Sequence, residues 1–213
     1  MDNALSIYED FLGEREGENH SFSFFRKPIR NVEPLRCITI PDIYRYIVGP
    51  YAQRQTETLR AIIDKDAARK YKAENFDFCT FSGTFRIRNK SHLLLHSELL
   101  CIDFDHVADI PSLRERLLHD DYFETELLFR SPSGDGLKWV IDIERKGWEH
   151  CRFYNAVYNY LVASGYPEPD KSGSDVARSC FIPYDPEAYI NSKYPEYVRK
   201  ENFFTRAVGE CPF

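Results

Sequence analysis

The chain has 213 residues, enough for one large domain or two small lobes around a substantial core. Hydrophobic residues make up 43% of it and aromatics 15%, with 14 Tyr and 16 Phe, which excludes a disordered chain. A formal net charge of -6 excludes a global electrostatic attraction for nucleic acid, so any such contact has to come from a local basic patch. The N-terminal residues show no basic segment followed by an apolar run, and no stretch approaches the roughly 18 apolar residues of a membrane span. A cytoplasmic location without a membrane partner is expected. Cys37, Cys79, Cys101, Cys151, Cys180 and Cys211 form no CxxC pair, so they read mostly as small buried hydrophobes and not as zinc ligands or a disulfide framework.

In chain order, a short opening helix precedes residues 20–25 (HSFSFF), whose period-two alternation predicts a half-buried strand. Residues 41–48 begin with Pro41 at a first-turn position, and residues 53–72 carry Leu59, Ile62, Ile63 and Ala67 at helical spacing, so two consecutive helices are expected. Residues 76–87 alternate aromatics around Ser82-Gly83 and read as a strand, a tight turn and a second extended piece. The apolar run LLCIDF from Leu99 suits a central strand buried on both faces. A helix over 112–119 capped by Ser112, a strand over 124–129, the turn SPSGDG and a strand LKWVIDI follow. Residues 148–163 place Phe153, Val157, Tyr160 and Leu161 on one helical stripe that ends at Gly165, and residues 179–182 form a last strand. The fold class is α+β. The order β-α-β-β-α-β over residues 99–183 is the ferredoxin-like, or split βαβ, arrangement, and the expected division is an N-terminal αβ lobe over 1–98 and a second lobe over 99–213. The end of the chain suits either a stand-alone domain or a piece of a longer protein.

Three segments carry candidate chemistry. Asp103 and Asp105 stand two apart, so on a strand both carboxylates project from one face, and such a like-charged pair is stabilised by a hard divalent cation such as Mg²⁺. The same acids also suit a turn at the end of the strand. The turn Ser131-Pro-Ser133-Gly134-Asp-Gly136 leads to Lys138 and offers hydroxyls, free N–H groups and a cation for phosphate oxygens, although an ordinary hairpin turn has the same composition. Asp170 and Asp175 precede Arg178 at the edge of the last strand, where an arginine fork suits a triphosphate and a surface ion pair is the plainer alternative. Arg86, Arg88 and Lys90 alternate along an expected extended segment, as a nucleic-acid contact or as the charged guard of an edge strand.

Taken together, the acidic pair on a strand, the hairpin after it and the later acid opening a strand resemble the three motifs of the archaeo-eukaryotic primase superfamily. More closely, FSGTFRIRNKSHLLLHSELLCIDFDHV, SPSGDGLKWVIDI and DKSGSDVARSCFIPYDPEAYIN look like the BT4734-like, or VirE N-terminal, domain of Bacteroidetes mobile-element proteins. The resemblance covers roughly residues 20–195. It implies a primase-polymerase-like fold whose catalytic half is RRM-like and whose two lobes form one domain. It further implies nucleotidyl transfer from a (d)NTP to a nucleic-acid 3'-OH during replication of a mobile element, on a single-stranded template or primer-template, with a helicase as a further partner. By the same resemblance Asp103, Asp105 and Asp170 hold Mg²⁺ or Mn²⁺, with Asp175 the alternative third ligand; Ser131, Ser133, Gly134, Gly136, Lys138 and Arg178 bind the nucleotide. Lys138 departs from the superfamily, which has His there, and this keeps open a catalytically degenerate nucleotide- or DNA-binding module of the same fold. A metal-dependent nuclease shares the carboxylates but calls for further His or acidic ligands than the motifs supply.

Overall fold

The structure, a computed structural model, describes residues 20–194; the expected opening helix lies outside them. Ten strands and five helices follow in the order β1 (Phe22–Phe25), β2 (Arg36–Ile38), α1 (Ile40–Val48), α2 (Gln53–Ala61), α3 (Lys65–Asn75), β3 (Phe78–Thr80), β4 (Gly83–Phe85), β5 (Leu93–His96), β6 (Leu99–Phe104), α4 (Ile110–Leu118), β7 (Thr125–Arg130), β8 (Leu137–Asp142), α5 (His150–Ala163), β9 (Cys180–Phe181) and β10 (Tyr189–Ile190). The class is α+β. An antiparallel sheet in the order β2-β1-β3-β9 packs near a second antiparallel sheet in the order β10-β7-β8-β6, and β4 and β5 form a separate hairpin.

Sheet alternation divides the interior into two cores. Leu100, Ile102 and Phe104 of β6 pack with Leu128, Trp139 and Ile141 against Leu113 and Leu117 of α4 and Tyr154, Val157 and Leu161 of α5. The alternate residues Leu99, Leu127, Phe129 and Val140 face Phe22, Phe24 and Cys79 of the first sheet and Ile43 and Ile47 of α1. Helices on one face and a sheet on the other explain why β6 is apolar at almost every position, and they place Asp103 on the face toward the first sheet.

Several expectations shift by a physical cause. β1 is buried on both faces, not half-buried, because Ser23 lies inside and its Oγ accepts from the Phe85 amide at 2.9 Å. The helix expected over 53–72 breaks at residues 62–64: Asp64 caps a new helix by accepting from the Ala67 amide at 2.7 Å, and Ile63 is left 97% exposed. β3 and β4 do not pair with each other. Gly83 instead runs against β5, where a Cβ would stand 2.2 Å from the Leu95 carbonyl oxygen. The cap of α4 is Asp109, accepting from the Ser112 amide at 3.0 Å, with Pro111 in the first turn, so the helix starts two residues earlier than expected. On α5 the buried stripe is His150, Tyr154, Val157 and Leu161, because His150 and Tyr154 find hydrogen-bond partners inside and Phe153 and Tyr160 stay half-buried.

β6, expected at the centre, is the last strand of its sheet, and β9 does not return beside it. The Asp170 amide donates to the Asp103 carbonyl at 2.8 Å, so the chain around residues 170–174 covers the edge that a fourth split-βαβ strand would take. β9 continues into the first sheet, with Cys180 opposite Cys79. No helix among the described residues is long and apolar enough to cross a membrane.

Candidate functional site

The site begins with register. Asp103 on β6 stands directly opposite Lys138 on β8, and the Lys138 ammonium donates to Asp103 Oδ2. Asp105 follows just past the strand end and is exposed. Asp170 arrives from the other side, tied to β6 through its amide and capping the 3-10 turn Lys171–Ser174. One oxygen from each of Asp103, Asp105 and Asp170 lies within 4.8 Å of the others. Asp175 stays outside this group; its Oδ1 accepts from the Ala177 amide at 3.0 Å, so of the two candidate third acids it is Asp170 that converges.

The three carboxylates differ in electrostatics. Burial, together with the neighbouring Asp105 and Asp170, raises the Asp103 pKa against the pull of Lys138. Burial acts on Asp170 in the same direction, but hydrogen bonds from the Ser172 amide (2.9 Å) and hydroxyl (2.6 Å), with Arg178 at 3.2 Å, hold its pKa below the usual range. Burial alone would lower the Lys138 pKa; Asp103 overcomes it and keeps the side chain an ammonium. Asp103 Oδ1 is buried with no hydrogen-bond partner among the described residues. Three hard oxygen donors and one orphaned carboxylate oxygen suit a divalent cation of the Mg²⁺ or Mn²⁺ type.

A small cleft of about 30 Å³ opens here, lined by Asp103, Lys138, Ser172, Arg178, Cys101 and Cys180, among others. The turn after β7 leads into the strand that carries Lys138. Gly136 is required by its own chain and not by a ligand, since a Cβ there would meet the Phe104 carbonyl oxygen at 2.2 Å; Gly134 takes a left-handed φ of 86°. Ser131 is buried and its Oγ has no hydrogen-bond partner among the described residues, whereas Ser133 is exposed. The turn is fastened at both ends: Arg60 of α2 donates to the Pro132 and Ser131 carbonyls at 3.2 and 3.3 Å, and the Val107 amide donates to the Asp135 carbonyl at 2.8 Å.

The basic run differs from its expected form. Residues 86–89 bend, and Arg88 turns inward to donate to the Ile29 carbonyl at 2.7 Å with its guanidinium over the Phe78 ring. Arg88 is therefore occupied in packing, which leaves Arg86 and Lys90 as the exposed pair. Lys72 of α3 was not legible in sequence. It is half-buried, its Nζ lies 5.7 Å from the Phe181 ring centroid, and no carboxylate stands within 4.0 Å of it among the described residues. Burial and the charge of Lys138 lower its pKa, against the opposing pull of Asp105, Asp103 and Asp135, which places this cation in the field of the acidic group. An isolated lysine on a polar helix carries no signal that distinguishes it from its neighbours.

An α+β scaffold with three convergent carboxylates and two flanking cations defines a class of candidate anion- and cation-binding site. Residues 71–190, more than half the chain and all three motifs, match the family described as BT4734-like, N-terminal domain, and the chain belongs to that family. No curated protein and no solved structure matches it.

Proposed function

We propose that this is a primase-polymerase-type nucleotidyltransferase domain of the archaeo-eukaryotic primase superfamily, acting in replication of a mobile element. The observation that carries the reading is the convergence of Asp103, Asp105 and Asp170 beside an orphaned buried oxygen of Asp103. In this reading those three side chains hold Mg²⁺ or Mn²⁺. Such ions neutralise charge on a transferring phosphoryl group and polarise it. Arg178 and Lys138 supply fixed positive charge for the triphosphate of a (d)NTP, with the turn over residues 131–136 and Lys72 as further contacts to it. Exposed Asp105 faces the solvent side from which a nucleotide enters, while half-buried Asp103 anchors the pair. Arg86 and Lys90 offer a backbone contact to a single-stranded template or primer-template, with a helicase as a further partner.

Strand extension from a labelled primer-template with dNTPs and Mn²⁺ tests the reading. Extension by the wild-type chain that Asp103→Asn abolishes supports it. One observation favours a second reading: Lys138 already neutralises Asp103, as expected of a module that keeps the fold and a nucleotide contact without transfer. Metal-dependent dATP binding with no extension supports that alternative.

A further inference from the structure

The loop that carries Asp170 is fastened from beneath by two buried histidines that no motif singled out. His96 closes β5 and His150 opens α5, 54 residues apart, and the rings meet with His96 Nε2 3.0 Å from His150 Nδ1. The direction of the hydrogen bonds follows from the two ends of the chain. The Glu98 amide can only donate, and it reaches His96 Nδ1 at 3.0 Å, so His96 carries its proton on Nε2. That proton is donated to His150 Nδ1, which puts the His150 proton on Nε2. His150 Nε2 lies 3.0 Å from the Gly173 carbonyl, which can only accept. Every donor meets an acceptor only if both rings are neutral.

The surroundings agree with this assignment. Burial is the main force against charge on either ring, and it holds His96 down to about 3. Arg145 repels a second positive charge, while Glu98 and, for His150, Asp175 act in the opposite direction without overcoming it. Arg145 is itself engaged by Glu98 at 2.6 Å.

The held segment has no slack. A Cβ on Gly173 would lie 2.4 Å from the Tyr154 ring, and the Tyr154 hydroxyl donates to the Asp170 carbonyl at 2.7 Å. Fixing the Gly173 carbonyl therefore fixes the turn that Asp170 caps.

We infer that His96 and His150 are positioning residues, a one-directional relay that holds the Asp170 loop against β6 and thereby sets how tightly the three carboxylates take a divalent cation. The inference rests on the reading of Asp103, Asp105 and Asp170 as a cation site. Outer partners that orient ligands typically change metal affinity by roughly 10–100-fold when removed.

The test is Mn²⁺ titration of the full chain, followed by the electron paramagnetic resonance signal of free Mn²⁺, for wild type, His150→Gln and His150→Asn, with amide hydrogen exchange over residues 170–175. The glutamine amide reaches the place of Nε2 and can donate to Gly173; the asparagine amide reaches only the place of Nδ1. His150→Asn should weaken Mn²⁺ binding roughly tenfold or more and speed exchange at the Ser172 and Asp175 amides, and His150→Gln should restore both. Ring nitrogen shifts should show two neutral Nε2–H tautomers. Equal Mn²⁺ affinity and equal loop exchange in the Gln and Asn variants, or a charged ring at pH 7, would overturn the relay. If the wild type takes up no Mn²⁺, the cation reading fails, while loop exchange still decides on the relay.

Discussion

Two loops flank Asp103, and the balance of charged and neutral bonds that holds them differs. The turn over residues 131–136 is clamped by Arg60, whose guanidinium hydrogen-bonds two carbonyls, and by an exposed His106–Asp135 pair at 2.6 Å. The loop over residues 170–174 is held chiefly by neutral groups, His150, Tyr154 and the amide of Asp170 itself, with one ion pair from Arg178 to Asp170 at 3.2 Å. Neutral bonds inside the protein are insensitive to salt, whereas charged partners near the surface are screened by it. The comparison teaches that the side delivering Asp170 leans on buried neutral bonds, while the 131–136 turn leans on a guanidinium and an exposed pair near the surface, where salt and competing ions reach them.

The comparison breaks most sharply at the glycines. Gly136→Ala should destabilise the fold by several kcal/mol, because the rigid Phe104 carbonyl cannot retreat from a contact of 2.2 Å; chemical denaturation reads it. Lys138→Met should cost about 3 kcal/mol at pH 7 by leaving Asp103 uncompensated beside Asp105 and Asp170. The sign with pH follows: Asp103 already has a folded pKa above its unfolded one, and losing the ammonium raises it further, so the deficit relative to wild type should shrink as pH is lowered from 7 through that raised pKa. Tyr154→Phe removes one buried hydrogen bond and should cost about 1 kcal/mol, with faster amide exchange in the 170–174 loop but not in the 131–136 turn. Arg60→Ala should show the reverse pattern, loosening the turn alone at a cost of about 1 kcal/mol or less at high salt.

The histidine pair adds a pH signature of its own. His96 has a folded pKa of about 3, below the ordinary value near 6.5, so the unfolded chain binds its proton first. Stability from His96 is thus fully present above about 6.5 and is lost as pH falls from there toward 3. A His96→Gln variant should flatten that acid limb in urea unfolding, and an unchanged limb would show that other groups set it.

What was legible in sequence depended on short-range rules. The pair Asp103 and Asp105 stood out because strand alternation is local, and Asp170 because it opens a turn before a strand. Strand β6 was recognised from its apolar run, yet its place at the sheet edge was not, since that depends on where residues 170–174 fold back. Arg88 shows the same limit from the other side: charge at period two suggested exposure, and the Ile29 carbonyl and Phe78 ring, brought close only by tertiary folding, turned it inward. His96 and His150 pair across 54 residues, and Lys72 and Arg60 come from helices whose polar composition says nothing of direction.

Thermal unfolding with Mn²⁺ and dATP together, compared with each alone and with the Asp103→Asn/Asp105→Asn variant, tests the three-carboxylate site directly. Ligand at about 100 times its Kd adds roughly 2.7 kcal/mol to the native state. A nucleotide site built on these acids should show a stabilisation of that order which needs both Mn²⁺ and dATP and is absent in the variant. An equal shift in the variant, or none in the wild type at millimolar ligand, would contradict it.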